Sequence, residues 1–158
     1  MEDNRLNLRS LFYNAFSKTM EKMAYEEVEF TDSDRLSADE DEYMWASLSV
    51  VEPFSSDISI ALPFEFAEEL TGAIYGEDMD ELSPQDVNDS IAEILNTVAG
   101  GFLSEIIPAD QEFTLGLPNT GMGTRPETEP GDINISFYVN GHIVKSTISG
   151  DEIKEFCN

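Results

Sequence analysis

Between residues 6 and 25, Leu8, Leu11, Phe12, Ala15, Phe16, Met20 and Met23 recur at three- and four-residue steps, which predicts a first helix. An acidic stretch over 26–42 follows; its first part, Glu27-Val28-Glu29-Phe30, alternates like an edge strand, and the remainder is read as a solvated loop. A strand follows over 43–51 with Met44, Ala46, Leu48 and Val50 on one face. A turn over 52–56 feeds a second strand carrying Ile58, Ile60 and Leu62. Pro63 opens a helix that turns Phe66, Ala67, Leu70 and Ile74 inward, and Gly76 closes it. After an acidic linker over 77–81, Ser83 is an N-cap, Pro84 takes the first helical position and Asp86 completes a capping pattern. This helix runs to Ile106, with Pro108 as its stop. A short strand over 112–117 and a long Gly/Pro/Thr-rich loop over 116–131 come next. Ile133, Ile135, Phe137 and Val139 alternate strictly, Asn140-Gly141 is a hairpin turn, and 142–148 returns as the partner strand.

The order is helix, three strands, helix, helix, three strands. One helix followed by three strands occurs twice, an internal duplication of architecture without a residue-by-residue repeat. Strands grouped after helices predict an α+β fold, with helices packed on an antiparallel sheet. At 158 residues, one domain spanning 1–158 is expected.

Charge narrows the function. Eight Lys and Arg stand against 33 Asp and Glu, a net charge of −25, and no Lys or Arg lies between Arg35 and Arg125. Leu, Ile, Val and Phe still make up about a quarter of the chain, above the roughly 20% typical of disordered chains. Nucleic acid needs cations that displace phosphate counterions, and anionic membranes need a basic patch, so neither partner is expected. Any phosphate chemistry must borrow its positive charge from a partner. The lone cysteine, Cys157, leaves no internal disulfide. With no apolar leader in MEDNRLNLRS, a cytoplasmic location is expected.

At about 100° per residue, Val87, Ile91, Ile94, Leu95, Val98 and Phe102 share one sector of the long helix. Asp89, Glu93, Asn96 and Gly100 fall in a narrow stripe opposite. A polar stripe opposite a core face is ordinary, but two details set this one apart. Gly100-Gly101 costs the helix about 1 kcal/mol per glycine relative to Ala, a penalty usually offset by close approach of another backbone. No Lys or Arg stands four residues from Glu93, so its carboxylate is open to a cation from a partner.

Asp89-x-x-x-Glu93-x-x-Asn96, then Ala99-Gly100-Gly101 and later Leu117-Pro118 with Gly121 or Gly123, resembles the CheC/CheX/FliY chemotaxis phosphatases, most of all CheX. The resemblance covers most of the chain and implies a CheC-like fold of two α-β-β-β pseudo-repeats. It implies dephosphorylation of a phosphorylated CheY-type response regulator by insertion of this helix into the regulator's active site. Asn96 would orient the attacking water, Glu93 would pair with the receiver lysine, and Asp89 would support the contact. Gly100 would allow close approach. Mg²⁺ would sit on the receiver, with no cofactor or metal bound by this chain. The first helix offers Asn14 but Leu11 at the Glu position, so one site per chain is implied. A homodimer through sheet edges is implied as well, with the 139–148 hairpin and the strand near Phe30 as candidate edges.

The chemistry also stands on its own. An acyl phosphate is already reactive, so a catalyst need only place a water and stabilise developing charge. An amide can donate to one group while accepting from another. Two rivals remain: a non-catalytic receiver-binding module of the same fold that sequesters its partner, and an acidic divalent-metal buffer using 26–42 and 77–81. Elsewhere, His142 reads as a turn-flanking packing residue, since no second histidine or cysteine pair exists for a zinc site and no G-x-S-x-G elbow accompanies it for a triad. Gly121-Met122-Gly123 reads as a flexible loop, and Trp45 and the methionines as packing residues.

Overall fold

Periodicity translates into elements almost one for one. In chain order they are α1 (Asn4–Ala24), β1 (Val28–Thr31), β2 (Tyr43–Glu52), β3 (Ser56–Pro63), α2 (Phe64–Tyr75) and α3 (Pro84–Ile106). Then come β4 (Thr114–Leu115), β5 (Asn119–Met122), β6 (Ile133–Val139), β7 (His142–Ser149) and α4 (Asp151–Phe156). This computed structural model describes residues 4–24, 26–31, 42–76, 81–123 and 131–156. Residues 77–80 of the acidic linker over 77–81 and residues 32–41 of the acidic stretch over 26–42 lie outside the described residues.

All strands join one antiparallel sheet in the order β1-β6-β7-β3-β2-β4, with β5 also paired to β2. Two hairpins, β2–β3 and β6–β7, meet along β3–β7. The duplication is therefore visible in the sheet, but with strands exchanged. β1 of the first unit completes the second unit's hairpin at β6, and β4 and β5 of the second unit complete the first unit's hairpin at β2. Neither unit closes its sheet alone.

One face of the sheet is apolar because strand side chains alternate. Met44, Ala46, Leu48 and Val50 of β2, Ile58, Ile60 and Leu62 of β3, and Ile133, Ile135, Phe137 and Val139 of β6 are all buried there. The helices α1, α2 and α3 cover this face. Phe16 stacks on Phe137 at 4.4 Å, and Phe12 meets Phe102 edge-on at 5.3 Å, tying α1 to both the sheet and α3. Asn140 and Gly141 both have positive φ (46° and 80°), the type I′ geometry the Asn-Gly pair predicts.

Several expectations need correction. Residues 119–122 within the supposed long loop form a strand, and the strand expected over 112–117 shrinks to Thr114–Leu115. In Asn-Thr-Gly-Met only Thr120 favours a strand, while Asn119 and Gly121 disfavour one; the segment is held by pairing with the ten-residue β2. Gly121 is thus no flexible hinge. It stands opposite Trp45, and a Cβ there would lie 2.4 Å from the indole, so the ring occupies the missing side chain's space. Trp45 is half-buried on the sheet face opposite Met44 and Ala46, outside the helix-covered core. The 139–148 hairpin is no edge, because β6 lies between β1 and β7, and β7 between β6 and β3. β1, the strand near Phe30, does form one edge. Finally, a short α4 caps the chain, anchored by buried Ile153 and by Glu152, which accepts from the Ser55 backbone N–H.

Candidate functional site

α3 owes its position to both its ends and its apolar face. Ser83 Oγ accepts from the Asp86 N–H at 3.1 Å, and the Asp86 carboxylate accepts from the Ser83 N–H at 3.0 Å, a complete capping box with Pro84 at the first turn. Val87, Ile91, Ile94, Leu95, Val98 and Phe102 are buried as the wheel predicts, joined by Ser90, Ala99 and Leu103. The helix packs against α1, α2, β2, β3 and β5.

This burial leaves the opposite stripe outward. Asp89, Glu93 and Asn96 are exposed, and Gly100 is partly so. Asp89 accepts from Gln85 Nε2 at 2.7 Å, a contact one turn back that holds it on the helix surface. Among the described residues, Glu93 has only a long 3.5 Å contact from the Thr97 hydroxyl, at the weak limit of a hydrogen bond. No hydrogen bond engages the Asn96 amide among the described residues, so its donor and acceptor both face solvent. The two glycines separate cleanly. A Cβ on Gly101 would meet Ala15 Cβ at 3.7 Å, so Gly101 is where α3 passes α1. A Cβ on Gly100 would meet nothing within 4 Å. Among the described residues, nothing in the packing requires Gly100.

A carboxylate, an amide and bare backbone thus lie along one rigid, exposed ridge. The carboxylate can pair with an external cation, the amide can orient a water, and the gap admits an approaching main chain. Among the described residues no group of three or more His, Cys, Asp or Glu is placed to hold a metal ion.

The residue pattern of the chemotaxis phosphatase CheX family matches residues 45–138. The chain belongs to that family. The match contains all of α3. No curated protein sequence matches the chain, but solved CheX structures share its fold. CheX from Vibrio vulnificus superposes with a TM-score of 0.72 at 20% identity, over 91% of this chain and 96% of that one. A CheX–CheY–BeF3–Mg²⁺ complex from Borrelia burgdorferi contains a chain similar at TM-score 0.68 and 16% identity, over 89% and 95%. The middle domain of FliM from H. pylori matches at 0.63 with 10% identity, over 99% of both chains. The CheC-like α+β architecture is thus common to all three.

Leu117 is the most exposed large apolar residue described, at 90%. It lies between β4 and β5 beside Pro118, and the Gly116 N–H is held by Ser49 O at 2.7 Å. In α1, Asn14 is exposed while Leu11 is half-buried against the core, so the first helix offers no carboxylate beside its asparagine.

His142 belongs to a different cluster. Its ring stacks on Phe66 at 4.5 Å, and Nε2 lies 3.8 Å from Glu69 Oε2, which fits the packing reading. Nearby, burial raises the Glu26 carboxyl above its ordinary range; Glu69 adds to the rise and His142 opposes it.

What sequence reading did not single out is α1's contribution to the surroundings of this ridge. Lys18 and Lys22 face Thr97, Ser104 and Glu105 of α3 across a groove. Their spacing on one helix face was legible; that the face lies against α3 was not. No described helix is long and apolar enough to cross a membrane.

Proposed function

We propose that this protein hydrolyses the aspartyl phosphate of a CheY-type response regulator, using α3 as the inserted element. The observation that carries the reading is the exposed Glu93–Asn96 pair beside a Gly100 that packing does not require. Membership of a phosphatase family supports it, as does a relative crystallised with CheY, Mg²⁺ and BeF3, a phosphoryl analogue.

In this mechanism Glu93 forms a charge-assisted bond to the receiver lysine, which fixes the ridge over the phosphoryl group. Asn96 accepts from the attacking water through its carbonyl oxygen and holds it in line with phosphorus. The water oxygen bonds to phosphorus as the bond to the aspartyl oxygen breaks. A carboxylate and inorganic phosphate result, and the water's protons leave with the phosphate. Positioning of this kind supplies a large share of a barrier reduction when the reactant is intrinsically labile. Asp89 borders the contact, and Gly100 lets the receiver backbone come close. The receiver's Mg²⁺ and lysine contribute the positive charge that α3 lacks. The homodimer implied by the family resemblance would use β1, an edge of the sheet.

The test is phosphate release from a phosphorylated CheY-type receiver. Wild-type protein should accelerate it, and Asn96→Ala should lower kcat by about 10²–10³, the usual cost of losing one positioned polar group, with binding retained. Binding without acceleration by the wild type would replace this reading with the sequestering module. Neither binding nor acceleration across several receivers would end both.

A further inference from the structure

The proposed partner poses an electrostatic difficulty. A receiver's phosphorylation site holds an aspartate and binds Mg²⁺ through carboxylates, and this chain carries a net charge of −25. Like-signed fields slow encounter. α3 contains no Lys or Arg, because the sequence has none between Arg35 and Arg125. Positive charge near the ridge must come from another element.

The structure supplies it from α1. A groove of about 300 Å³ runs between α1 and α3, lined by Lys18 and Lys22 from α1 and by Thr97, Gly101, Ser104 and Glu105 from α3. Both lysines are exposed, and neither forms an ion pair or hydrogen bond among the described residues. The groove is continuous with the ridge, since Thr97 lines it and also contacts Glu93 at 3.5 Å. The two helices also correspond position for position. Counting from Asn14 as from Asn96, Lys18 stands in α1 where α3 has Gly100, and Lys22 where it has Ser104. The first unit, lacking the Glu at Leu11, thus presents cations beside the second unit's site.

We infer that this groove seats the acidic rim of the receiver's phosphorylation pocket, with Lys18 and Lys22 as the docking cations. The inference rests on the phosphatase reading for its partner but not for its readout. At physiological salt the Debye length is about 8 Å. The remote acidic surface is therefore screened, while two lysines at the contact still act. Glu105, which lines the groove from α3, works against them. Lys18 and Lys22 are binding residues and touch no reacting atom.

The experiment titrates wild type, the double variant Lys18→Gln/Lys22→Gln, and Glu105→Gln with a CheY-type receiver carrying BeF3⁻ and Mg²⁺. Fluorescence anisotropy reads Kd at about 50 mM and about 500 mM salt, where screening differs most. The double variant is expected to raise Kd and KM by about tenfold at low salt, with kcat within about twofold of wild type and a flattened salt dependence. Glu105→Gln should tighten binding. Circular dichroism and Tm matching the wild type exclude misfolding. A Kd within about twofold of wild type at low salt overturns the inference, as does a loss confined to kcat. A wild type that binds no receiver overturns it too. If the wild type binds without hastening phosphate release, only the phosphatase reading falls, and the Kd comparison still decides the groove.

Discussion

Gly100 offers the sharpest separation of stability from function. Gly in a helix interior is less favourable than Ala by about 0.8–1.0 kcal/mol. Its φ is not among the positive values in this chain, and a Cβ there meets no atom within 4 Å. Gly100→Ala therefore adds a methyl group to open space, without strain. The fold should gain close to the full propensity difference, about 1 kcal/mol. For a chain of this size that corresponds to a rise in Tm of roughly 2–4 °C. Gly101→Ala provides the benchmark: its Cβ makes an ordinary 3.7 Å contact with Ala15, so it should stabilise by a similar amount. Activity should move the other way at Gly100. If a receiver backbone rests on this position, the new methyl holds it off by about an ångström, and a displacement of that size can cost about 10²-fold. Thermal unfolding and receiver dephosphorylation measured on the same preparation test both halves. A Gly100→Ala variant that is more stable and fully active would refute the claim that this glycine is kept for a partner. One that is less stable would refute the packing argument.

Three further outcomes follow from individual contacts. Gly121→Ala places a Cβ 2.4 Å from the Trp45 ring, so it should destabilise by about 1–3 kcal/mol; the shift in emission of Trp45, the sole tryptophan, reports the ring's displacement. Ser83→Ala removes one half of the capping box at the start of α3 and should cost about 1 kcal/mol in urea unfolding, with unchanged stability arguing that the cap is redundant. Glu26→Gln should raise Tm at pH 7. The folded chain holds the Glu26 proton to higher pH than the unfolded chain does, because burial and Glu69 raise its pKa. The carboxyl's contribution to stability therefore falls as pH rises through that raised value, and the advantage of Gln should vanish below the ordinary carboxylate range. A gain independent of pH would assign the effect to something other than charge.

Local periodicity is why so much was legible in one dimension. The burial of Val87 through Phe102, the outward Asp89–Glu93–Asn96–Gly100 stripe, the Ser83 cap and the Asn140-Gly141 turn each depend on residues within a few positions of one another, so spacing alone specifies them. The family resemblance rested on that same stripe. Partner choice between strands does not work this way. Nothing in Val28–Thr31 says that it pairs with β6 rather than with its neighbour β2, and the exchange that makes the 139–148 hairpin interior depends on both units closing one sheet. β5 escaped notice because its stability lies in the ladder of β2 and in the room Gly121 leaves for Trp45, not in its own composition. The same holds at the site. Phe12 against Phe102, and Ala15 beside Gly101, bring α1 alongside α3 and so place Lys18 and Lys22 next to Glu93's helix. Those lysines acquire a meaning through packing between residues some eighty positions apart, a distance across which no pattern in a single sequence carries information.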